Sequence, residues 1–295
     1  MLSIIVVTYN NGDTLKKFWE SWYRASQNST TPHRFVIVDN NSSDSTVKKI
    51  QECNEIYPLP SIKIITEKKN HGFASGVHSG VSGDEELLLC LNPDVHLPED
   101  FFSQLLKGKE RIEKVDAQWA AYAPALQDAH GNLQGNAGPE VSFLNELKEL
   151  TGLAAVFGGG RWWRYYINEE KELLLHSGKV AWAGAGCLLL RADVWRLSNG
   201  FDKNFFMYGE DVEWCFRIRK LGYTIYRNAE IIVTHWGGIS SGIGRIGRWR
   251  RWKLWSQSSP LLWKSVNVSG RLFLIALLTL RNSIEWIRSI CVFFK

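Results

Sequence analysis

The chain has no pair of cysteines at CxxC spacing, no apolar run close to the length of a membrane span, and a single acid in residues 245–295. Each absence excludes something. Five cysteines, at 53, 90, 187, 215 and 291, are an odd number scattered over 295 residues, which removes a zinc ribbon and a disulfide framework. Cys90, Cys187 and Cys215 lie in apolar surroundings, so buried thiols in a reducing compartment are expected. The apolar stretch LFLIALLTL (272–280) is nine residues long, against the roughly 20 needed to span a bilayer. The opening MLSIIVVTYN lacks a basic n-region and enters a strand pattern at once, so a signal peptide is not expected. HExxH and GxxxxGK[ST] are missing, and the Gly-rich HGFASGVHSG (71–80) does not fit GxGxxG. Metalloprotease and P-loop NTPase readings therefore have no support, and that stretch gives none to a Rossmann dehydrogenase.

What is present is unevenly distributed. Residues 245–295 carry ten Lys/Arg and one acid, Glu285, a net of +9, and hold five of the 14 tryptophans. Residues 1–244 carry a net of −4. A mildly acidic body with a basic, aromatic tail points to a polyanionic surface as partner. From Asn282 onward, Ile284, Trp286, Ile287, Ile290, Cys291 and Phe294 share one helical arc opposite Arg281, Glu285, Arg288 and Ser289, the pattern of an amphipathic helix. The stretch 272–280 is apolar all round and predicts burial against protein or lipid.

The first 95 residues alternate strand and helix patterns. Strands are expected at 2–9, 34–39, 61–67 and 86–91, with helices at 13–26 (Asp13 as its cap), 40–53 and a Gly-rich 72–81 between them. That alternation predicts βαβ units and a mostly parallel α/β sheet flanked by helices. Right-handed crossovers then bring the strand C-terminal ends to one edge, where ligands bind in open α/β sheets. That edge presents Thr8, Tyr9, Asn10, Asp39, Asn92 and Asp94. Further on, 97–110 reads as a helix, 117–126 as a strand, 128–132 as a turn and 158–166 as a mobile Gly-aromatic loop. Residues 179–195 read as strand then helix, with a helix from about Asp211 to Leu221 and two short strands over 224–236.

Four places can carry chemistry, and each has a plain structural alternative. LNPDV (91–95) ends a buried strand on Asn92 and Asp94. One carboxylate and one amide suffice for magnesium or manganese only when a nucleoside diphosphate adds oxygens. The alternative is an Asx-Pro turn. Asp39 suits a ribose or base N–H, or a capping role. In GEDVEW (209–214), Asp211 with Glu210 beside it suits a general base, or Asp211 is simply an N-cap. His235 suits a metal ligand or a packed histidine.

The order of these pieces over residues 3–238 resembles a known family. SIIVVTYNN, VDNNSSD, HGFASG, LNPDV, GAGCLLLR, GFDKNFFMYGEDVEWCFR and THWGG follow one another as in inverting family 2 glycosyltransferases of the GT-A fold. The pattern is similar above all to the bacterial rhamnosyltransferase-like branch that builds O-antigen, capsule and other cell-surface glycans. The resemblance implies a catalytic domain over 1–244, with a nucleotide-binding half (about 1–95) and an acceptor half (96–244), and a helical extension over 245–295. It implies nucleotide contacts from Thr8, Tyr9, Asn10, Asp39, Gly72, Phe73 and Asn92. It places Asp94, Asn92 and His235 on a divalent metal, manganese or magnesium. Gly184, Ala185 and Trp182 would approach the sugars, and Asp211 would be the base with Glu210 beside it. The implied donor is dTDP-rhamnose or a UDP-sugar. The implied acceptor is a glycan or polyprenyl-diphosphate-linked glycan; the basic, Trp-rich, amphipathic tail separately predicts attachment to the inner face of the plasma membrane. Three positions depart from the pattern: Asn92 for the first Asp of DxD, His78 for an Asn, and Gly209 before the acid pair. The rival readings are a nucleotidyltransferase, which lacks its basic Gly-rich first loop here, and a membrane- or nucleic-acid-binding module. The acidic body speaks against nucleic acid.

Overall fold

The computed structural model describes residues 1–12, 14–138, 177–236, 254, 257, 258 and 272–280. Asp13, the 158–166 loop and the 282–294 helix lie outside these residues. Strand β1 (Leu2–Thr8) pairs in parallel with β2 (His33–Asp39) on one side and with β4 (Leu87–Leu91) on the other, and β3 (Lys63–Thr66) forms the edge beyond β2. Helices α1 (Leu15–Gln27), α2 (Thr46–Ile56) and α3 (Phe73–Gly80) make the crossovers.

After the short β5 (Val95–His96) and α4 (Phe101–Val115) come β6 (Trp119–Gln127) and the two-residue β7 (Leu133–Gln134) and β8 (Ala137–Gly138). Then follow β9 (Gly178–Val180), β10 (Trp182–Ala183), β11 (Cys187–Arg191), α5 (Ala192–Leu197), α6 (Glu210–Lys220) and β12 (Thr224–His235). The main path runs β3-β2-β1-β4-β11-β6-β12-β5. β11 is antiparallel to both β4 and β6, whereas β12 is parallel to β6. The start of β11 therefore lies at the same edge as the ends of β1, β2, β4, β6 and β12.

The central strand β4 is apolar without interruption, and its neighbours β1 and β11 nearly so, because both faces are covered. Leu2, Ile4 and Val6 of β1 face a core shared with Phe18, Trp19 and Trp22 of α1 and with Phe101, Phe102 and Leu105 of α4. Ile5 and Val7 face the other core, with α3, α5 and α6, where Trp195, Trp214 and Ile218 are buried. Each such side chain contributes about 1.5–3 kcal/mol on burial. The glycines of α3 serve close packing. A Cβ at Gly76 would stand 2.7 Å from Val7, and one at Gly80 2.7 Å from Ile5.

One detail differs from the sequence reading. Residues 224–235 form one strand, not two; its register against β6 slips between Asn228 and Ile232. Asn228 lies opposite Pro124, which has no N–H to continue the ladder. In the helical stretch 272–280, Leu274 and Leu278 are buried, but Leu272, Phe273 and Leu280 are at least half exposed. Burial is one-sided there. The four described cysteines, Cys53, Cys90, Cys187 and Cys215, are free and buried. Burial pushes their thiols up, which keeps them inert.

Candidate active site

At the β1–β2 end, Thr8 lies opposite Asp39 in the sheet and its hydroxyl donates to Asp39 Oδ1 at 3.1 Å. Ser42 donates its hydroxyl to Oδ1 at 2.5 Å and its N–H to Oδ2 at 2.9 Å. Asp39 is thus buried and organises its own loop. Asn10, at φ 53°, accepts the Ser43 N–H and donates its own N–H to Ser42 Oγ, so it staples the two strand-end loops together. Tyr9 stands 40% exposed at this edge. Asn40, which the sequence reading did not single out, joins the loops to α3. Its Nδ2 donates to Gly72 O at 3.0 Å and its Oδ1 accepts the His71 N–H.

Gly72 carries φ 88°, and a Cβ there would meet Phe206 O at 2.2 Å. The Phe73 N–H donates to that same Phe206 oxygen at 2.8 Å. The start of α3 therefore grips the loop that leads to the acid pair. His78 grips it too, with Nε2 2.8 Å from Phe201 O. In this structure His78 serves the loop through that contact. Ser258, in the tail, is buried and donates its hydroxyl to Met207 O at 3.1 Å.

The second cluster forms where β4 ends. The pairing of β5 with the end of β12 brings Asp94 beside His235. His235 Nε2 lies 3.3 Å from Asp94 Oδ1 and 3.3 Å from Asn92 Nδ2. On the ring's other side, Nδ1 is 2.9 Å from Gln134 Oε1, and Gln134 Nε2 donates to His235 O at 3.0 Å. An Nδ1–H donated to Gln134 leaves the Nε2 lone pair facing the Asp94 carboxylate. Two electron-rich atoms share that gap comfortably only with a proton or a cation between them. Burial lowers the His235 pKa, and the charge and hydrogen bond of Asp94 outweigh it, so the net shift is upward. The donor set, carboxylate, imidazole and amide, fits a divalent cation completed by substrate oxygens. Among the described residues no group of three His, Cys, Asp or Glu forms a closed metal site. Trp236 fixes the end of β12: its N–H donates to Asp94 O, its ring packs on Phe18, and Lys17 Nζ sits 3.0 Å over it.

The turn Gly184–Ala185–Gly186 joins this cluster to the acids. The Asn92 N–H donates to Gly186 O at 2.9 Å, and the Ala185 N–H donates to Asp211 Oδ2 at 2.9 Å. Ala185 is buried while both glycines keep a partly open face. Trp182 is 1% exposed and packs against Gly138 beneath the turn, so it supports the turn rather than presenting a face to solvent. Tyr208 at φ 70° and Gly209 at φ 97° turn the chain sharply into α6. Gly209 is the N-cap, so Asp211 is not one. Asp211 lies inside the first turn, where Oδ1 also accepts the Val212 N–H.

Both acids are buried. Burial raises the Asp211 pKa, partly offset by the N–H groups of Ala185 and Val212. Burial, and then the charge of Asp211, hold Glu210 well above the usual carboxylate range. Among the described residues Glu210 Oε2 has no hydrogen-bond partner. The pair thus favours a proton on Glu210 and charge on Asp211. Asn40, Gln134 and Asn136 were not legible as site residues. They sit in loops or two-residue strands without periodicity, and their side-chain partners lie 12 to 101 positions away.

The Asp94–His235–Asn92 cluster and the buried acid pair thus lie at one polar end of an open α/β sheet. The model of Glycosyl transferase family 2 matches residues 3–172, and the chain belongs to this family. An N-acetylglucosaminyl-diphospho-decaprenol L-rhamnosyltransferase of Mycobacterium tuberculosis is 25% identical over 252 residues, 80% of this chain and 76% of that protein. The rhamnosyltransferase WbbL of Escherichia coli is 23% identical over 237 residues, 77% of this chain and 80% of that protein. Among solved structures, the mannosyltransferase PcManGT of Pyrobaculum calidifontis, in complex with GDP-Man and Mn2+, superposes with a TM-score of 0.57 at 12% identity. That match covers 97% of this chain and 75% of the other. The fold is GT-A.

Proposed function

We propose that this glycosyltransferase moves a hexose, rhamnose in the favoured reading, from a nucleoside diphosphate to a glycan or lipid-linked glycan with inversion. dTDP-rhamnose is the favoured donor and UDP-sugars are the alternative. The observation that carries the reading is the turn Gly184–Ala185–Gly186. Gly186 O accepts the Asn92 N–H and the adjacent Ala185 N–H donates to Asp211, which would tie a diphosphate-facing cluster to a base through two neighbouring residues. Thr8, Tyr9, Asn10, Asp39, Gly72 and Phe73 frame the nucleoside. Asp94 and His235, with Asn92, would hold manganese or magnesium. A cation there supplies charge neutralisation for the departing diphosphate.

Asp211 takes the proton of the acceptor hydroxyl. Two backbone N–H groups orient its carboxylate, and burial keeps it basic enough to accept. The hydroxyl oxygen attacks the anomeric carbon opposite the leaving group, and one displacement inverts that centre. Glu210, holding its own proton, leaves Asp211 as the charged partner. The neighbours' names support the acceptor class: the mycobacterial relative acts on an N-acetylglucosaminyl-diphospho-decaprenol. No helix among the described residues is long and apolar enough to cross a membrane. Attachment to the membrane surface through the basic tail, on the cytoplasmic side, suits such an acceptor.

The test is release of nucleoside diphosphate from dTDP-rhamnose, UDP-glucose, UDP-galactose and UDP-N-acetylglucosamine, with manganese, with magnesium and with excess chelator. Turnover of one donor that stops with chelator is expected. No turnover of any donor overturns the reading, and full activity in chelator removes the metal from it.

A further inference from the structure

The chain enters α6 through a strained turn. Tyr208 at φ 70° and Gly209 at φ 97° are both left-handed. Glycine takes that conformation freely. A tyrosine takes it at a cost and keeps it only where its surroundings over-determine it. Two of the restraints act on successive carbonyls just before Tyr208. Phe206 O accepts the Phe73 N–H at 2.8 Å, from the start of α3. Met207 O accepts the Ser258 hydroxyl at 3.1 Å. That second oxygen belongs to the planar peptide unit joining Met207 to Tyr208. Holding it holds the plane from which Tyr208 turns.

The two restraints come from different parts of the chain. Phe73 belongs to the first half of the sheet and its crossovers. Ser258 lies 51 positions beyond Met207, within the segment 245–295 that carries a net charge of +9. It is 3% exposed, so water does not compete for its hydroxyl. Further along α6, Trp214, Cys215 and Ile218 are fully buried and anchor the helix in the core. Removal of the Ser258 bond therefore loosens the entry to α6, where Asp211 lies in the first turn, and leaves the rest of the helix in place.

We infer that Ser258 is a positioning residue for the transfer: by holding Met207 O it fixes the Tyr208–Gly209 turn that sets Asp211 against the Ala185 N–H. The basic tail is thereby part of the framework of the active site, whatever surface it also meets. The inference rests on the reading of Asp211 as the base.

The experiment uses the full chain with Ser258→Ala, which removes the hydroxyl, and Ser258→Thr, which keeps it, beside Asp211→Asn and the double variant. Nucleoside diphosphate release is followed from dTDP-rhamnose, UDP-glucose, UDP-galactose and UDP-N-acetylglucosamine with manganese. The acceptor is an N-acetylglucosaminyl diphosphate lipid in neutral detergent, where no anionic surface holds the tail. Ser258→Ala is expected to lose about fivefold in kcat with donor affinity within about twofold, and Ser258→Thr to keep most of the rate. In the Asp211→Asn background the Ser258→Ala loss should vanish, because no base remains to be placed. Unchanged kcat in Ser258→Ala beside a dead Asp211→Asn overturns the inference alone. An equal loss in both Ser258 variants, a matching loss of donor affinity, or a loss that persists in Asp211→Asn also overturns it, since each marks a general structural role. Full activity of Asp211→Asn, or no turnover of any donor by the wild type, overturns the underlying reading and the inference with it.

Discussion

The Ala185 N–H donates to Asp211 Oδ2 at 2.9 Å, across 26 positions of sequence. This bond holds the carboxylate against the turn that also holds Asn92. Asp211→Asn keeps the shape and removes the basicity. Turnover is expected to fall by about 10²–10⁴-fold while nucleotide affinity stays within about twofold. Stopped-assay kinetics with calorimetry check both. An active Asp211→Asn beside a dead Glu210→Gln would exchange the roles of the two acids.

Glu210 makes a prediction about stability. Its carboxyl is raised first by burial and then by the charge of Asp211. The folded chain therefore keeps a proton that the unfolded chain releases above about pH 4.3. Stability from this group is complete below that pH and is lost as pH rises through the raised folded value. Glu210→Gln has no such proton to lose. Its melting midpoint should gain on wild type between pH 5 and pH 8, where each 1 kcal/mol is worth about 2–4 °C in domains of 150–250 residues. A constant offset between the two proteins over that range contradicts the assignment.

Gln134 sets the tautomer of His235 while Asp94 and Asn92 face the other nitrogen. Partners that orient a ligating histidine typically account for about 10–100-fold in metal affinity. Gln134→Leu should raise the manganese concentration for half-maximal donor turnover by that order, with saturating manganese restoring most of the rate. Loss of rate that manganese does not restore would assign Gln134 to folding instead.

The legible part of this fold was the part written in local pattern. β1, β2 and β4 announce themselves because both faces are covered, and the polar residues at their ends mark the edge. The insertion of β11 antiparallel between β4 and β6 carries no local signal; it depends on pairing Cys187 with Leu91 over almost a hundred residues. The departures at His78 and Gly209 have local reasons. Gly209 supplies a left-handed N-cap, and His78 secures Phe201 O. Gln134 and Asn136 lie in or beside two-residue strands, too short for alternation to show which side chain turns inward.

The tail gives the last prediction. Residues 245–295 carry a net charge of +9 and five tryptophans. Each basic residue near an anionic surface contributes about 1 kcal/mol of attraction. Tryptophan favours the headgroup level, and an apolar helical face buries in the acyl boundary. In the stretch 272–280, Leu274 and Leu278 are buried while Leu272, Phe273 and Leu280 are open. One side is taken and the other is free for lipid. Ser258 packs on Met207, so the tail also touches the loop before the acid pair. The full chain should float with vesicles containing phosphatidylglycerol, less with neutral vesicles, and less at high salt as the charges are screened. A chain ending at Ser241 should stay behind. Equal flotation of the two chains, or no preference for anionic lipid, would make the tail a packing element alone.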